Sequence, residues 1–180
     1  MSGPAAPCNE FGRVKRYDGE EAIGEKDFPV WFDLPCNEAQ CTRLADYILK
    51  EEPYPIKAFV GFGFNRRMWP QPDYLQEARK KLDFFVNVDL FMSDSCDMAD
   101  LVLPACTSFE REEVKALKGG KFAISQKAIE PLGEAKNDIE IIIQMLLRMG
   151  LHDEALEKRY ENYMNYILEP SGLTVEELRQ

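Results

Sequence analysis

Histidine is nearly missing from this chain: His152 is the only one, in a polar stretch just past Gly150 and Leu151. No Ser-His-Asp or Cys-His arrangement can be assembled from that inventory, and the residue reads as a surface group near a helix end. Cysteine is scarce and its spacing is uninformative: the residues at 8, 36, 41, 96 and 106 include no CxxC pair. A zinc or iron–sulfur site needs more ligands than Cys36, Cys41 and His152 supply, so the thiols read as scattered and reduced, and no metal is expected on them. No apolar run approaches the length of a bilayer crossing, and the opening MSGPAAPCNEFGRVKR lacks an apolar signal core. This stretch therefore carries no address of its own, and direct membrane insertion is not expected. Basic residues are outnumbered, 22 against 32 acidic, for a net charge of −10. Such a balance opposes a phosphate-tracking surface and excludes generic nucleic-acid binding.

What is present is a composition of 45% hydrophobic and 11% aromatic residues, enough for a domain with a real core. The organising stretch is Phe84 to Glu112. Phe84 to Val88 is aromatic or β-branched except for Asn87 and reads as a buried strand ending at Asp89. A second apolar run, Leu101 to Leu103, is stopped by Pro104. Ile56 to Phe62 is a third, feeding the turn Gly61-Phe62-Gly63-Phe64-Asn65. Between the first two strands in chain order, Pro72 to Lys81 predicts a helix with Pro near its start and Tyr74, Leu75, Ala78 and Leu82 on its buried face. The alternation predicts an α/β, three-layer Rossmann-like domain with a mainly parallel sheet. The link from Asp89 to Leu101 has room for one helical turn, near Asp94 to Met98.

The rest falls around that core. Residues 1–27, rich in Gly, Pro and charge, read as a lead-in or linker. Phe28 to Leu34 is an aromatic segment, strand or extended, ended by Pro35. Asn37 is a plausible N-cap for a helix carrying Cys41, Leu44, Ala45, Ile48 and Leu49. Gly119-Gly120 sits in a basic hairpin-like segment followed by a short strand, Phe122 to Ser125. Asn137-Asp138 precedes a helix, Ile139 to Met149, that is apolar around most of its circumference and expected to be deeply buried. Residues 154–167 predict another helix, and Thr174 to Glu177 opens a last one with a capping box. The domain is thus expected over residues 28–150, with a helical extension at 151–180 that stops abruptly, as in a piece cut from a longer chain.

No catalytic centre emerges, but a binding edge does. In parallel sheets ligands bind beyond the carboxyl ends of the strands. There Asp89 can accept two hydrogen bonds from ribose hydroxyls, or two from the N1–H and exocyclic amine of guanine, and Asp138 has the same chemistry. Arg111 is a charged fork suited to diphosphate oxygens. The backbone at Gly61, Gly63 and Val88 allows close approach of a nucleotide. The dinucleotide fingerprint is broken by Arg66, where a third small residue is wanted. Plainer readings stand beside these: Asp138 caps its helix, Asp89 ends a strand, and Arg111 pairs with Glu110 or Glu112.

The run Ala99 to Ala105, ADLVLPA, with Glu110-Arg111-Glu112, resembles the signature of the molybdopterin oxidoreductase (dimethyl sulfoxide reductase) family. The likeness extends through Tyr54 to Lys57, the Gly61 to Asn65 turn, Val88-Asp89, and Ile129 to Glu134 on to Asp138. The wording around Tyr54 and Glu130 is nearest the polysulfide and thiosulfate reductase-like branch. The resemblance implies a domain that helps hold the guanosine end of a molybdopterin guanine dinucleotide, with contact positions at Asn65, Val88, Asp89, Arg111 and Asp138. Arg111 stands where lysine is common, and Arg66 follows Asn65 where the family usually has proline. The bis-dinucleotide cofactor, its molybdenum or tungsten and an iron–sulfur cluster would then be completed by other domains of the parent chain, with electron-transfer subunits as further partners. The full-length protein would be cytoplasmic or exported by its own leader. The competing expectation is a structural module that kept the fold and lost the cofactor.

Overall fold

The computed structural model describes residues 21–30, 41–117, 120–152, 154–157 and 159–180. The chain divides into two compact units, one ending at Leu103 and the other running from Pro104 to Gln180.

The first unit is built on a three-stranded parallel sheet in the order β1-β2-β3, with β1 at Ala58–Phe62, β2 at Phe84–Asp89 and β3 at Leu101–Pro104. In the β1–β2 register Ala58 lies opposite Phe84 and Phe62 opposite Val88. All three runs predicted as strands are therefore strands, and they are parallel. β1 begins at Ala58, two residues later than predicted, and just before it the carbonyl of Lys57 accepts from the N–H groups of Asp83 and Phe84. Helix α1, Leu44–Lys50, follows a 3₁₀ turn at Cys41–Arg43, and α2 spans Pro72–Arg79. Their apolar faces meet Phe59, Phe64 and Phe85 in one core with Leu44, Ile48, Leu75 and Ala78. Phe64 and Phe85 sit edge to face at 5.8 Å between ring centres, a favoured aromatic geometry. The opposite face of β2, Val86 and Val88, is buried as well, as strands of a parallel sheet require. The link to β3 makes the expected single turn: the N–H groups of Cys96 and Asp97 reach the carbonyl of Ser93.

Two expectations change here. Of Phe28 to Leu34, Pro29 and Val30 are helical rather than extended, and residues 31–34 lie outside those described, as does Asn37. Residues 21–27 do more than link: the Asp27 carboxylate takes hydrogen bonds from the Arg43 guanidinium at 3.0 Å and the Tyr47 hydroxyl at 2.7 Å. Residues 1–20 lie outside those described.

In the second unit, β4 (Glu113–Leu117) and β5 (Lys121–Ser125) form the expected antiparallel hairpin. Helix α3 covers Asp138–Arg148. Its burial is shallower than its sequence predicts: Ile141 and Ile143 are buried, the other apolar positions are half-exposed, and Met149 just beyond it is 71% exposed. The predicted helix over 154–167 appears as α4 (Glu154–Glu157) and α5 (Arg159–Leu168). Its stripe is as expected, with Leu156 and Tyr163 packed against Ile143. Thr174 caps α6 (Val175–Leu178) through a complete capping box with Glu177. Among the described residues no helix is long and apolar enough to cross a membrane.

Candidate functional site

In the first unit the carboxyl ends of β1 and β2 are joined past the sheet by a hydrogen bond from the Gly63 N–H to the Val88 carbonyl, at 2.8 Å. Gly63 has φ +59°, a conformation L side chains avoid, and nothing lies within 4 Å of where its Cβ would stand. Gly61 is different: a Cβ there would come 2.6 Å from that of Phe64 and 3.1 Å from Asn87 Oδ1, so the space it leaves serves packing. Asn65 is exposed, and its side-chain oxygen accepts from the Arg67 N–H at 3.1 Å. That bond fixes the carboxamide and leaves its N–H₂ to donate outward.

Val88 is fully buried, and its carbonyl is the acceptor of the Gly63 N–H. Asp89, half-buried, ends β2. Its Oδ1 accepts from the Leu90 N–H at 2.7 Å and its Oδ2 from the Ser93 hydroxyl at 3.3 Å. A carboxylate offers about four lone-pair sites, so two anchors leave acceptor capacity on both oxygens. Three polar residues absent from the predicted site complete this edge. The Asp94 carboxylate binds Arg67 Nε at 2.7 Å and Arg66 Nη2 at 3.1 Å, and the Ser95 hydroxyl accepts from the Arg66 N–H at 3.0 Å. The signal that would have found them is position: a polar triplet just beyond a strand's carboxyl end.

In the second unit Arg111 and Asp138 are brought together, Nη1 to Oδ2 at 3.5 Å. The plainer reading of each does not hold. Asn137 is the residue whose side chain caps α3, accepting from the Ile139 N–H at 2.9 Å. Arg111 pairs with neither neighbour: its Nη2 meets Glu113 at 2.9 Å. Glu110 is buried and takes the N–H groups of Thr107 and Leu132 at 2.8 and 2.9 Å, which hold its carboxyl below the ordinary carboxylate range. Glu112 binds Arg179 at 2.6 Å. Arg111 Nε is buried without a hydrogen-bond partner, a donor left over for one more acceptor oxygen. Desolvation pushes the Asp138 carboxyl above its ordinary range, against the lowering by Arg111. A pocket of about 360 Å³ opens beside Arg111, lined also by Cys106, Lys136, Asn137 and Tyr160. The Tyr160 hydroxyl donates to the Glu112 carbonyl and accepts from the Asn137 amide.

These groups suit a guanine nucleotide in kind: carboxylate acceptors for adjacent N–H donors, a guanidinium for phosphate oxygens, and a carboxamide. They suit no metal: among the described residues no three His, Cys, Asp or Glu side chains gather as ligands.

The chain is similar over most of its length to several known proteins. The chain is 35% identical over 174 residues to acetylene hydratase of Syntrophotalea acetylenica, a match covering 91% of this chain and 24% of that protein. It is 31% identical over 142 residues to the thiosulfate reductase molybdopterin-containing subunit of Salmonella typhimurium, covering 76% of this chain and 19% of that one. Dopamine dehydroxylase of Eggerthella lenta is 30% identical over 152 residues, covering 82% of this chain and 14% of that protein. The chain thus spans about a quarter or less of the length of these relatives. The solved structure of acetylene hydratase from Pelobacter acetylenicus shares the fold across the whole chain, with a TM-score of 0.81 at 24% identity, over 29% of that structure. The model of the molybdopterin oxidoreductase family matches residues 56–146, from just before β1 through most of α3, and this chain belongs to that family.

Proposed function

We propose that this chain is part of a molybdenum- or tungsten-dependent oxidoreductase and helps hold the guanosine end of a molybdopterin guanine dinucleotide. Asn65, Val88, Asp89, Arg111 and Asp138 make the contacts, and Gly61 and Gly63 allow the backbone approach. The observation that carries the reading is Asp89, a carboxylate at the carboxyl end of a parallel strand, anchored by the Leu90 N–H and the Ser93 hydroxyl. Held so, it is aligned to accept from the two adjacent donors of guanine, whereas adenine offers an acceptor and a C–H edge there. Asp138 is a second acceptor, and the Arg111 fork carries phosphate charge. When bound, the cofactor supplies the metal-centred redox chemistry; this chain's residues bind and orient its nucleotide end. The metal, its ligand and an iron–sulfur cluster belong to the remaining domains of the parent protein, and electron-transfer subunits are its further partners.

NMR titration of the ¹⁵N-labelled chain with guanosine diphosphate tests the reading. The amides of Gly63, Arg67, Leu90 and Ile139 are expected to shift, and to shift less with adenosine diphosphate. An equal response to both nucleotides, unchanged in Asp89→Asn, would favour a structural module that has lost the cofactor.

A further inference from the structure

The polar triplet Ser93-Asp94-Ser95 makes one bond or more, per residue, to the edge described for the first unit. Ser93 holds Asp89 Oδ2 at 3.3 Å. Asp94 gathers Arg67 Nε at 2.7 Å and Arg66 Nη2 at 3.1 Å onto one oxygen. Ser95, fully buried, accepts from the Arg66 N–H at 3.0 Å. Arg67 is in turn the residue whose N–H fixes the Asn65 carboxamide at 3.1 Å. The turn after β1 and the loop after β2 are thereby tied at three points, and Asp94 accepts both bonds made by side chains of that turn. Where a proline would restrict the backbone after Asn65, Arg66 substitutes a tether that depends on a partner.

We infer that Asp94 is a positioning residue: through Arg66 and Arg67 it sets the Asn65 carboxamide against Asp89, and so sets selectivity for guanine without touching the nucleotide. The inference rests on the proposed nucleotide reading. It is consistent with the carboxyl of Asp94 being held below the ordinary range, chiefly by its hydrogen bond from Arg67. Arg67 is 72% exposed, and an ion pair in such a setting adds little to global stability, whereas the Arg66–Asp94 pair, 18% and 29% exposed, adds more. Asp94→Asn keeps a side-chain oxygen to accept from both guanidinium groups, so its effect should be felt in geometry, with a modest fall in melting temperature.

The experiment compares native chain, Asp94→Asn and Asp94→Glu in two arms. Without nucleotide, ¹⁵N spectra of Asp94→Asn should move the amides of Arg66, Arg67 and Leu90, with the melting temperature lowered by about a few degrees at most and Asp94→Glu restoring the native spectrum in part. With guanosine and adenosine diphosphates, the ratio of dissociation constants should fall about tenfold in Asp94→Asn, as expected for losing one well-aligned hydrogen-bond pair, and recover in Asp94→Glu. Unmoved amides overturn the positioning role, as does a collapse of the melting temperature, which would make Asp94 a residue of the fold. Moved amides in a chain whose native form prefers neither base would leave the tether standing and sink the nucleotide reading instead.

Discussion

At the scale of single residues, Asp138 and Glu110 show how the second unit divides carboxylates between site and fold. Glu110 is satisfied by two backbone N–H groups, and its carboxyl is held below its ordinary value. A carboxyl depressed on folding stabilises above its unfolded pKa, and that stability is lost as pH falls through the folded value. Asp138 has the opposite sign: burial raises its carboxyl. Its ionised form therefore disfavours folding, by nothing below the unfolded pKa of about 3.9 and in full once pH has risen past the folded value. At pH 7 Asp138→Asn is expected to raise the melting temperature by a few degrees and Glu110→Gln to lower it. Both differences should close on acidification, that of Asp138 first. A calorimetric scan from pH 7 to 3 checks this, and a lower melting temperature for Asp138→Asn at neutral pH would contradict it. A stabilising substitution at a proposed contact is what a functional carboxylate predicts. The sequence singled out Asp138 as an acceptor and Arg111 as a fork for diphosphate, with Glu110 or Glu112 as its alternative partner, but Glu113, which Arg111 meets, lay off that list. Glu113 is two residues on, at the start of a strand, and nothing in a linear charge pattern says which neighbouring carboxylate a hairpin will turn inward.

At the scale of elements, the parallel sheet was legible because its strands are short, apolar and aromatic with no competing period; Pro104, expected to stop the last of them, is instead its final residue, and Ala105 beyond it makes a parallel bridge to Lys136. Phe85 shows what that patterning achieves: it is 1% exposed, within 6 Å of the rings of Phe59 and Phe64. Phe85→Ala should destabilise the unit ending at Leu103 by roughly 3–5 kcal/mol, the usual range for a buried phenylalanine. Urea denaturation followed by Trp69 fluorescence reads it directly, since Trp69 packs against Phe64 in the same core; a loss under about 1 kcal/mol would mean the site collapses without a cavity. Helix α3 was legible in extent but not in depth. Its run of Ile139 to Leu147 is apolar on nearly all sides, and such periodicity reports what a helix is able to bury. It does not report what is there to bury it against. The residues Ser93 to Ser95 are marked by their position past a strand's end, but what they bind was illegible for a related reason: polar loop residues have no period, and the arginines they hold lie in a turn about thirty positions earlier.

At the scale of the whole molecule, the chain is a member of the molybdopterin oxidoreductase family that covers about a quarter or less of its relatives' length. Its net charge of −10 opposes a generic nucleic-acid surface. A chain that grips only one end of a large cofactor buries little of it, so its affinity is weak while its base discrimination persists. The ratio of dissociation constants for adenosine and guanosine diphosphates, measured by titration calorimetry at fixed ionic strength, therefore bears most directly on the account. The native chain should favour the guanine nucleotide by about tenfold or more, as expected when a carboxylate meets two donors rather than an unmatched edge, and Asp89→Asn should bring the ratio close to one. A native ratio already near one, or a ratio untouched by Asp89→Asn, would contradict it.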